Sequence, residues 1–248
     1  MKPSGYLFII ALVATSMLAA PTHAFSQTPV SAPSHADSTF SVFVNSSISF
    51  THANDPHINK WLARYHYPTE PHIPSSLNIE VAAMPVASRL MFSVKLSTII
   101  SGHNLSSFNL LGGLYTALVK HRDLIILIGA GAGFHKDIIT LNGDMPADYK
   151  ELAQQYNKQL SLHRGGLSLE PALRAFWFPV TLHQLQLGLF GGLGFDMDLN
   201  SHWKLGYYDS NHGEYGRFRK LKMPADQQRV SEHGLALNAG ISVHLHIQ

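Results

Sequence analysis

The chain has 248 residues and a formal net charge of +2, and only 14% of its residues are charged while 45% are hydrophobic. A soluble globular protein usually carries about 25% charged residues, so this composition is typical of a protein that meets an apolar environment. The charge balance argues against a nucleic-acid-binding surface, and the absence of cysteine excludes disulfides and thiolate metal sites.

The N-terminus has the pattern of a secretory signal peptide. Lys2 provides a positive start, residues 6–20 form an apolar core, and Thr22-His23-Ala24 offers a cleavage site. We therefore expect residues 1–24 to be removed on export. Residues 25–38 are small, polar and proline-containing, which predicts a flexible mature N-terminus. The rest of the chain has no stretch of about 20 apolar residues, so a helical membrane span is not expected.

From Phe40 onward, apolar residues recur at every second position, which is the period of a half-buried strand. The clearest case begins at Leu185, Leu187 and Leu189, which alternate with polar residues and glycine. Pro171 lacks a backbone donor and predicts a bulge or a frayed pairing within its strand. The pattern predicts eight strands, at 39–50, 77–85, 89–100, 107–119, 123–138, 165–178, 184–199 and 235–248.

The connections between these strands tend to alternate between short and longer segments. In chain order they are 51–76, 85–88, 101–106, 119–123, 141–163, 179–183 and 199–232. Short turns at one end and extended loops at the other are typical of a transmembrane barrel. The sequence therefore predicts an all-β domain over residues 39–248, an eight-stranded antiparallel up-and-down transmembrane β-barrel with short periplasmic turns and longer outer loops.

Two of the long loops have helical patterns. Asp55-Pro56 is typical of an N-cap followed by proline at the first helical position, and it predicts a helix through Trp61 and Leu62. Residues 147–160 have a similar pattern.

The composition of the two strand faces predicts which face points outward. One face carries large aliphatic residues, and the other carries glycine, serine, asparagine and too few charges for the exterior of a soluble barrel. We therefore expect the polar face to fill the narrow interior, where eight strands leave room for little beyond side chains. Leu187 and Leu189 are then expected to face lipid.

Four charged residues are predicted inside the barrel: Glu80, Lys95, Glu170 and Arg174. They form two opposite-charge sets on neighbouring or shared strands, and such pairing is needed because an unpaired buried charge costs several kcal/mol. If the turn at 179–183 sets the register, Arg174 faces Gly188 and Glu170 faces Gly192, so that glycine makes room for each long side chain.

The signal peptide, the eight alternating strands and the short-turn, long-loop order resemble the small outer-membrane barrels of the OmpA/OmpX/OmpW type. The resemblance covers roughly residues 40–248 and implies insertion into the bacterial outer membrane, without implying one activity. It departs from that pattern at Gln248, where such barrels usually end in an aromatic residue. Aromatic residues near the ends of the apolar face resemble the two girdles of a membrane barrel: Phe40, Phe50, Phe108, Phe134, Trp177 and Phe195.

The last long loop is the strongest candidate for a contact surface. Its aromatic and basic residues favour an interface with lipopolysaccharide phosphates or with an extracellular or envelope protein, although scattered charges on a solvated loop give the same pattern. The candidate contact residues are Trp203, Tyr207, Tyr208, Arg217, Arg219, Lys220 and Lys222.

The predicted function is thus a non-enzymatic outer-membrane protein with a structural or surface-interaction role, and no cofactor or nucleic-acid partner is expected. One alternative is a lipid A-modifying deacylase or acyltransferase, with a Ser–His–acid cluster on the lipid-facing wall. Its loop candidates are Ser210, His212 and Glu214, and Ser231, Glu232 and His233. The other alternative is a soluble periplasmic ligand-binding barrel with a dry apolar interior. His244 and His246 share a strand face and are a weak candidate for metal binding.

Overall fold

The computed structural model describes residues 40–52, 56–69, 75–100, 104–141, 160–182, 184–199, 201–209, 217–222 and 233–247. The predicted signal peptide and mature N-terminus, residues 1–38, lie outside these ranges. The predicted helix at 147–160 also lies outside them, except for Leu160.

The described residues form a closed antiparallel barrel of eight strands, which confirms the predicted fold class. The ring runs β5-β4-β3-β2-β1-β10-β7-β6, and a pairing between β5 and β6 closes it. The elements are β1 (Phe40–His52), α1 (Pro56–Arg64), β2 (Ser75–Pro85), β3 (Leu90–Ile99), β4 (Leu105–Lys120), β5 (Leu124–Thr140), β6 (Ser161–Leu182), β7 (Leu185–Leu199), β8 (Lys204–Asp209), β9 (Arg217–Lys220) and β10 (His233–Ile247).

One end of the barrel holds the short connections β2–β3, β4–β5 and β6–β7, and we call it the turn end. At the other end, the loop end, β5 and β6 extend beyond the predicted strands and pair up to Thr140 and Ser161. There β8 adds to the edge of β6 and pairs with β9. The loop predicted over 199–232 therefore contains a hairpin.

The predicted β6–β7 register is wrong. Arg174 pairs with Gly192 rather than Gly188. The prediction assumed a five-residue turn, whereas the strands continue to the pair Leu182–Leu185 and are connected by residues 183 and 184 alone. Strand β6 therefore runs four residues further toward this turn than expected, and the glycine opposite Arg174 lies four residues further along β7.

Proline interrupts the pairing of β6 with β7 at two places. The pairing lapses at Glu170 and Pro171, as Pro171 predicted, although Pro171 stays paired with Ala130 on β5. A second irregularity lies between Trp177 and Val180 and contains Pro179. Each proline lacks the N–H that would complete the ladder.

The outward face of the barrel is an apolar band. Leu187 is 38% exposed, Leu189 is 53% exposed and Ile241 is 61% exposed. A soluble ligand-binding barrel would have these side chains inside, so the alternative of a dry apolar interior lined by the two leucines is wrong. Among the described residues, no helix has the length and hydropathy that a membrane crossing needs.

The interior changes character along the barrel axis. The turn end holds a cluster of large side chains, which we call the aromatic plug: Phe43, Tyr115, Phe176, Phe178 and Phe190, with Met84, Met91, Ile125 and Leu127 around them. Above the plug lies the charged belt of Glu80, Lys95, Glu170 and Arg174, each 8% exposed or less. The loop half is polar and partly open.

The loop end has a second core of its own. Helix α1, which the sequence predicted, places Ile58, Trp61 and Leu62 against apolar residues of the β5 and β6 extensions and β8. Trp203 lies at 0% exposure in this loop-end core. Residues before β2 and after β7 thereby become part of a folded structure rather than solvated loops.

Candidate functional site

The charged belt ties opposite walls of the barrel together. Arg174 donates to Glu80, Lys95 donates to Glu170, and Arg174 also lies 3.7 Å from Glu170. The Arg174 guanidinium stacks 4.0 Å from the ring centroid of Tyr115. Because all four charges have partners, the barrel interior contains them without the penalty of an unpaired buried ion.

The structure places all four predicted interior charges inside the barrel but pairs them differently from the expectation. Glu80 and Lys95 are register neighbours on β2 and β3, yet both form their ion pairs with β6 across the lumen. Glycine provides the space, since a Cβ at Gly194 would lie 3.2 Å from the Glu170 side chain. The sequence could not show this, because cross-lumen distances do not follow from strand adjacency.

The belt and the aromatic plug together block the barrel axis. Phe176 packs against Phe190 with ring centroids 4.9 Å apart, and Phe43 stacks on His244 at 4.3 Å. An eight-stranded barrel with a filled interior offers no water-filled passage. The described interior thus fits a stable plugged barrel rather than an open pore.

Above the belt lies a polar cavity of about 130 Å³, which we call the polar cup. Serine and asparagine side chains from β1–β4, β6 and β10 line it together with four carboxylates, two cations and one histidine. Asn59 of α1 borders it at the loop end. The charged and histidine lining residues are Lys95, His135, Asp137, Arg164, Glu170, Asp196 and Asp198.

His135 lies at the centre of a hydrogen-bonded cluster in the wall of the cup. Its Nε2 is 3.1 Å from Ser201 Oγ, and its Nδ1 is 2.8 Å from Ser168 Oγ and 3.4 Å from Asp198 Oδ1. Gly166 makes the approach possible, because a Cβ there would lie 2.6 Å from Ser201 Oγ. The set contains the residue types of a catalytic triad. The sequence missed it because His135 lies on β5, whereas Asp198 and Ser201 lie at the end of β7 and just beyond it.

The deacylase candidates named from the sequence lie almost entirely outside the described residues. Ser210, His212, Glu214, Ser231 and Glu232 lie outside the described residues, and of His233 only the backbone is described. The Ser201–His135–Asp198 cluster lies inside the barrel, whereas a lipid-modifying enzyme was expected to carry its cluster on the lipid-facing wall.

Three lysines lie on the outer wall directly beyond the apolar band, and we call them the lysine patch. Lys136 follows the exposed Phe134 by two residues on the same face of β5. Lys204 pairs with His163 on β6, and Lys220 pairs with Gly206 on β8. Since alternate residues of a strand share a face, the register places these exposed lysines on one side of the extended sheet.

The predicted surface residues divide between the two sides of the hairpin. Tyr208 is 43% exposed on the outward side, while Tyr207 packs against the loop-end core. Arg219, Lys220 and Lys222 are exposed, and the side chain of Arg217 is outside the description. Trp203 is wrong as a surface residue, because it is fully buried and lies under Arg164 at 4.9 Å.

His163 fixes the hairpin to the outer wall of β6. Its ring lies 4.1 Å from the Phe218 ring and 5.3 Å from the Tyr208 ring, and its Nε2 contacts Ser161 Oγ at 2.8 Å. This position is beyond the apolar band. Burial, together with the positive charge of Lys136, lowers the pKa of His163 from 6.5 to about 4.

We expect docking of the hairpin to weaken as the pH falls. The docked pKa of His163 is below its ordinary value, so the neutral ring favours docking above pH 6.5 and this stabilisation is lost between pH 6.5 and about 4. Hydrogen exchange of residues 204–209 and 217–220, corrected for its intrinsic pH dependence, measures the change. A His163→Phe variant keeps the ring and should remove the effect; an equal pH response in that variant would contradict this assignment.

The histidines at the turn end are bound to protein groups. His244 Nδ1 lies 2.7 Å from Gln186 Oε1, and His246 Nδ1 lies 3.5 Å from Ser41 Oγ. Within the described ranges, no group of three or more His, Cys, Asp or Glu residues is placed to hold a metal ion.

Comparison with known proteins yields structural likenesses only. No family model matches the sequence, and no curated protein matches it. The chain is similar to the crystal structure of Neisserial surface protein A (NspA), at 8% identity and a TM-score of 0.43 over 83% of this chain and 96% of that one. It is also similar to a major outer membrane protein from Thermus thermophilus, at 11% identity and a TM-score of 0.47 over 83% of this chain and 99% of that one. At these identities nothing about function follows.

Proposed function

We propose that this protein is a non-enzymatic outer-membrane β-barrel that holds a folded loop-end structure at the lipid surface. The observation that carries the proposal is the exterior of the barrel, where an apolar band is followed by the lysine patch. An exposed band of large apolar side chains is unfavourable in water and matches the hydrocarbon core of a bilayer. The filled interior supports an anchoring role over transport.

The partner that this exterior favours is an anionic lipid headgroup, with the phosphates of lipopolysaccharide as the expected source in an outer membrane. Lys136, Lys204 and Lys220 extend from the level at which the apolar band ends. Lysine binds phosphate as a point charge, and exposed Tyr208 beside these lysines has the amphipathic ring that favours a membrane interface.

Charge removal tests this contact. Replacing Lys136, Lys204 and Lys220 together by glutamine should weaken binding of phosphorylated lipopolysaccharide by up to about a hundredfold, since each basic residue near an anionic surface contributes about 1 kcal/mol. The measurement is lipopolysaccharide retained by the detergent-solubilised protein during size-exclusion chromatography.

A matched control removes the same charge elsewhere, by replacing Lys60, Arg64 and Arg122 with glutamine. These exposed residues lie on α1 and at the turn end. The control should retain lipopolysaccharide as the unmodified protein does, and added salt should weaken retention in both. Two results would contradict the headgroup contact: the lysine variant retains as much lipopolysaccharide as the unmodified protein, or the unmodified protein retains dephosphorylated lipopolysaccharide equally well. Either result would leave a protein partner as the better explanation.

Ester hydrolysis is a second candidate function, favoured by the Ser201–His135–Asp198 geometry. In that mechanism the Ser201 hydroxyl attacks the ester carbonyl, and His135 takes its proton and passes it to the leaving alcohol. A water molecule, deprotonated by His135, then attacks the acyl group and releases the acid, and His135 returns the proton to Ser201. Ser201 is only 6% exposed. Ser168 Oγ also contacts the His135 Nδ1 that faces Asp198. Covalent labelling by a fluorophosphonate that is lost in Ser201→Ala would support hydrolysis, whereas no labelling would support the non-enzymatic role.

A further inference from the structure

We propose that the polar cup binds a small organic molecule carrying a primary ammonium group. The proposal does not depend on the lipid contact, because the cup lies inside the barrel. Its first support is charge: the lining holds Asp137, Glu170, Asp196 and Asp198 against Lys95 and Arg164, an excess of two carboxylates. A concave wall with this excess of one sign of charge favours a cationic ligand.

The ion pairs of the cup divide this excess between two sets of side chains. In the first set, Arg164 donates to Asp137 and lies 3.5 Å from Asp198, so one cation faces two carboxylates. Lys95 donates to one carboxylate oxygen of Glu170. Asp196 lies within hydrogen-bonding reach of Glu170 and 3.4 Å from the hydroxyl of Thr51. These two adjacent carboxylates thus share Lys95 as the cation that lines the cup, while Arg174 of the charged belt lies 3.7 Å from the other oxygen of Glu170.

A buried acceptor beside Asp196 provides the second, independent support. Glu170 is 2% exposed, and its Oε1, which lies 3.7 Å from the Arg174 guanidinium, accepts no hydrogen bond from the described residues. Asn109 also lines the cup, and its Oδ1 accepts no hydrogen bond from any residue that the structure describes. A buried acceptor without a donor costs about 1–3 kcal/mol, so both oxygens favour a ligand that supplies N–H groups.

The chemistry and size of the cup together define the ligand class. A primary ammonium carries three donors and no acceptor, which matches Asp196 and the Glu170 oxygen that accepts no hydrogen bond. Hydroxyl and amide side chains such as Ser97 on β3 and Asn78 on β2 line the opposite wall and can bind a neighbouring hydroxyl of the ligand. A volume of about 130 Å³ is similar to an engineered cavity that binds benzene, so a short amino alcohol fits and a lipid does not.

Calorimetric titration of the refolded protein with ethanolamine tests the proposal. We expect saturable binding at one site, and none of ethylene glycol, which lacks the charge, or of choline, which lacks N–H donors. Asp196→Asn should weaken ethanolamine binding about tenfold or more, because an asparagine amide both removes the charge and donates to Glu170 in place of the ligand. Asp123→Asn at the turn end is the matched control and should bind normally.

Each variant must first show the mobility shift of a folded barrel on an unboiled gel, so that loss of binding is not loss of fold. Absence of ethanolamine binding, or equal binding by Asp196→Asn, would overturn the proposal. Tight binding of Ca²⁺ or Mg²⁺ that displaces ethanolamine would also overturn it and would identify the cup as an inorganic-cation site.

Discussion

Replacing Arg174 by methionine is expected to lower the free energy of unfolding by about 3–5 kcal/mol, the cost of removing one partner from a buried ion pair. Methionine retains much of the packing, but Glu80 then lies buried without its cation, and Tyr115 loses its stacked guanidinium. Urea unfolding of the protein in lipid vesicles measures the change.

The double variant Glu80→Gln, Arg174→Met separates charge from packing. Because the glutamine at position 80 carries no charge, no unpaired charge is buried, and we expect the double variant to recover much of the lost stability. Asn45, which donates to Glu80 at 3.1 Å, can still donate to the glutamine carbonyl. If the single and double variants were equally destabilised, the cross-lumen ion pair would not be the source of the effect.

Replacing Ile241 by arginine is expected to lower stability in a bilayer by about 2–4 kcal/mol, the cost of a basic side chain at the midplane of a membrane barrel. Ile241 lies halfway along the outward face of β10 and is 61% exposed. Ile247→Arg, on the same face at the strand end, is the matched control and should cost about 0–1 kcal/mol. Urea unfolding in vesicles measures both, and equal costs at the two positions would contradict a lipid-facing band.

The period-two pattern was sufficient to predict the barrel and the direction of each face. If a strand slipped by one residue, its leucines would point inward and its glycine and serine residues would face outward. The pattern therefore determines that Leu187 and Leu189 face outward and that the four charged residues lie inside. Helix α1 was also predictable, because Pro56 favours its first turn. These features depend on residues that are near one another in the chain.

The features that sequence reasoning missed depend on residues that are distant in the chain. Lys95 meets Glu170 across the lumen, and Ser201 meets His135 where β8 joins the edge of β6. The aromatic plug was missed because its phenylalanines occupy the face that otherwise carries small and polar residues. The sequence does not reveal the hairpin, because its strands are short and its buried side chains pack on a core formed in part by α1.

The most direct test of the inside-out barrel in an outer membrane is the fractionation of the expressed protein, combined with its gel mobility before and after boiling. The structure predicts recovery in the outer-membrane fraction and a band that shifts on heating, as a stable closed barrel requires. Recovery as a soluble periplasmic protein would contradict a lipid-facing exterior, and the apolar band would then have to be buried against protein.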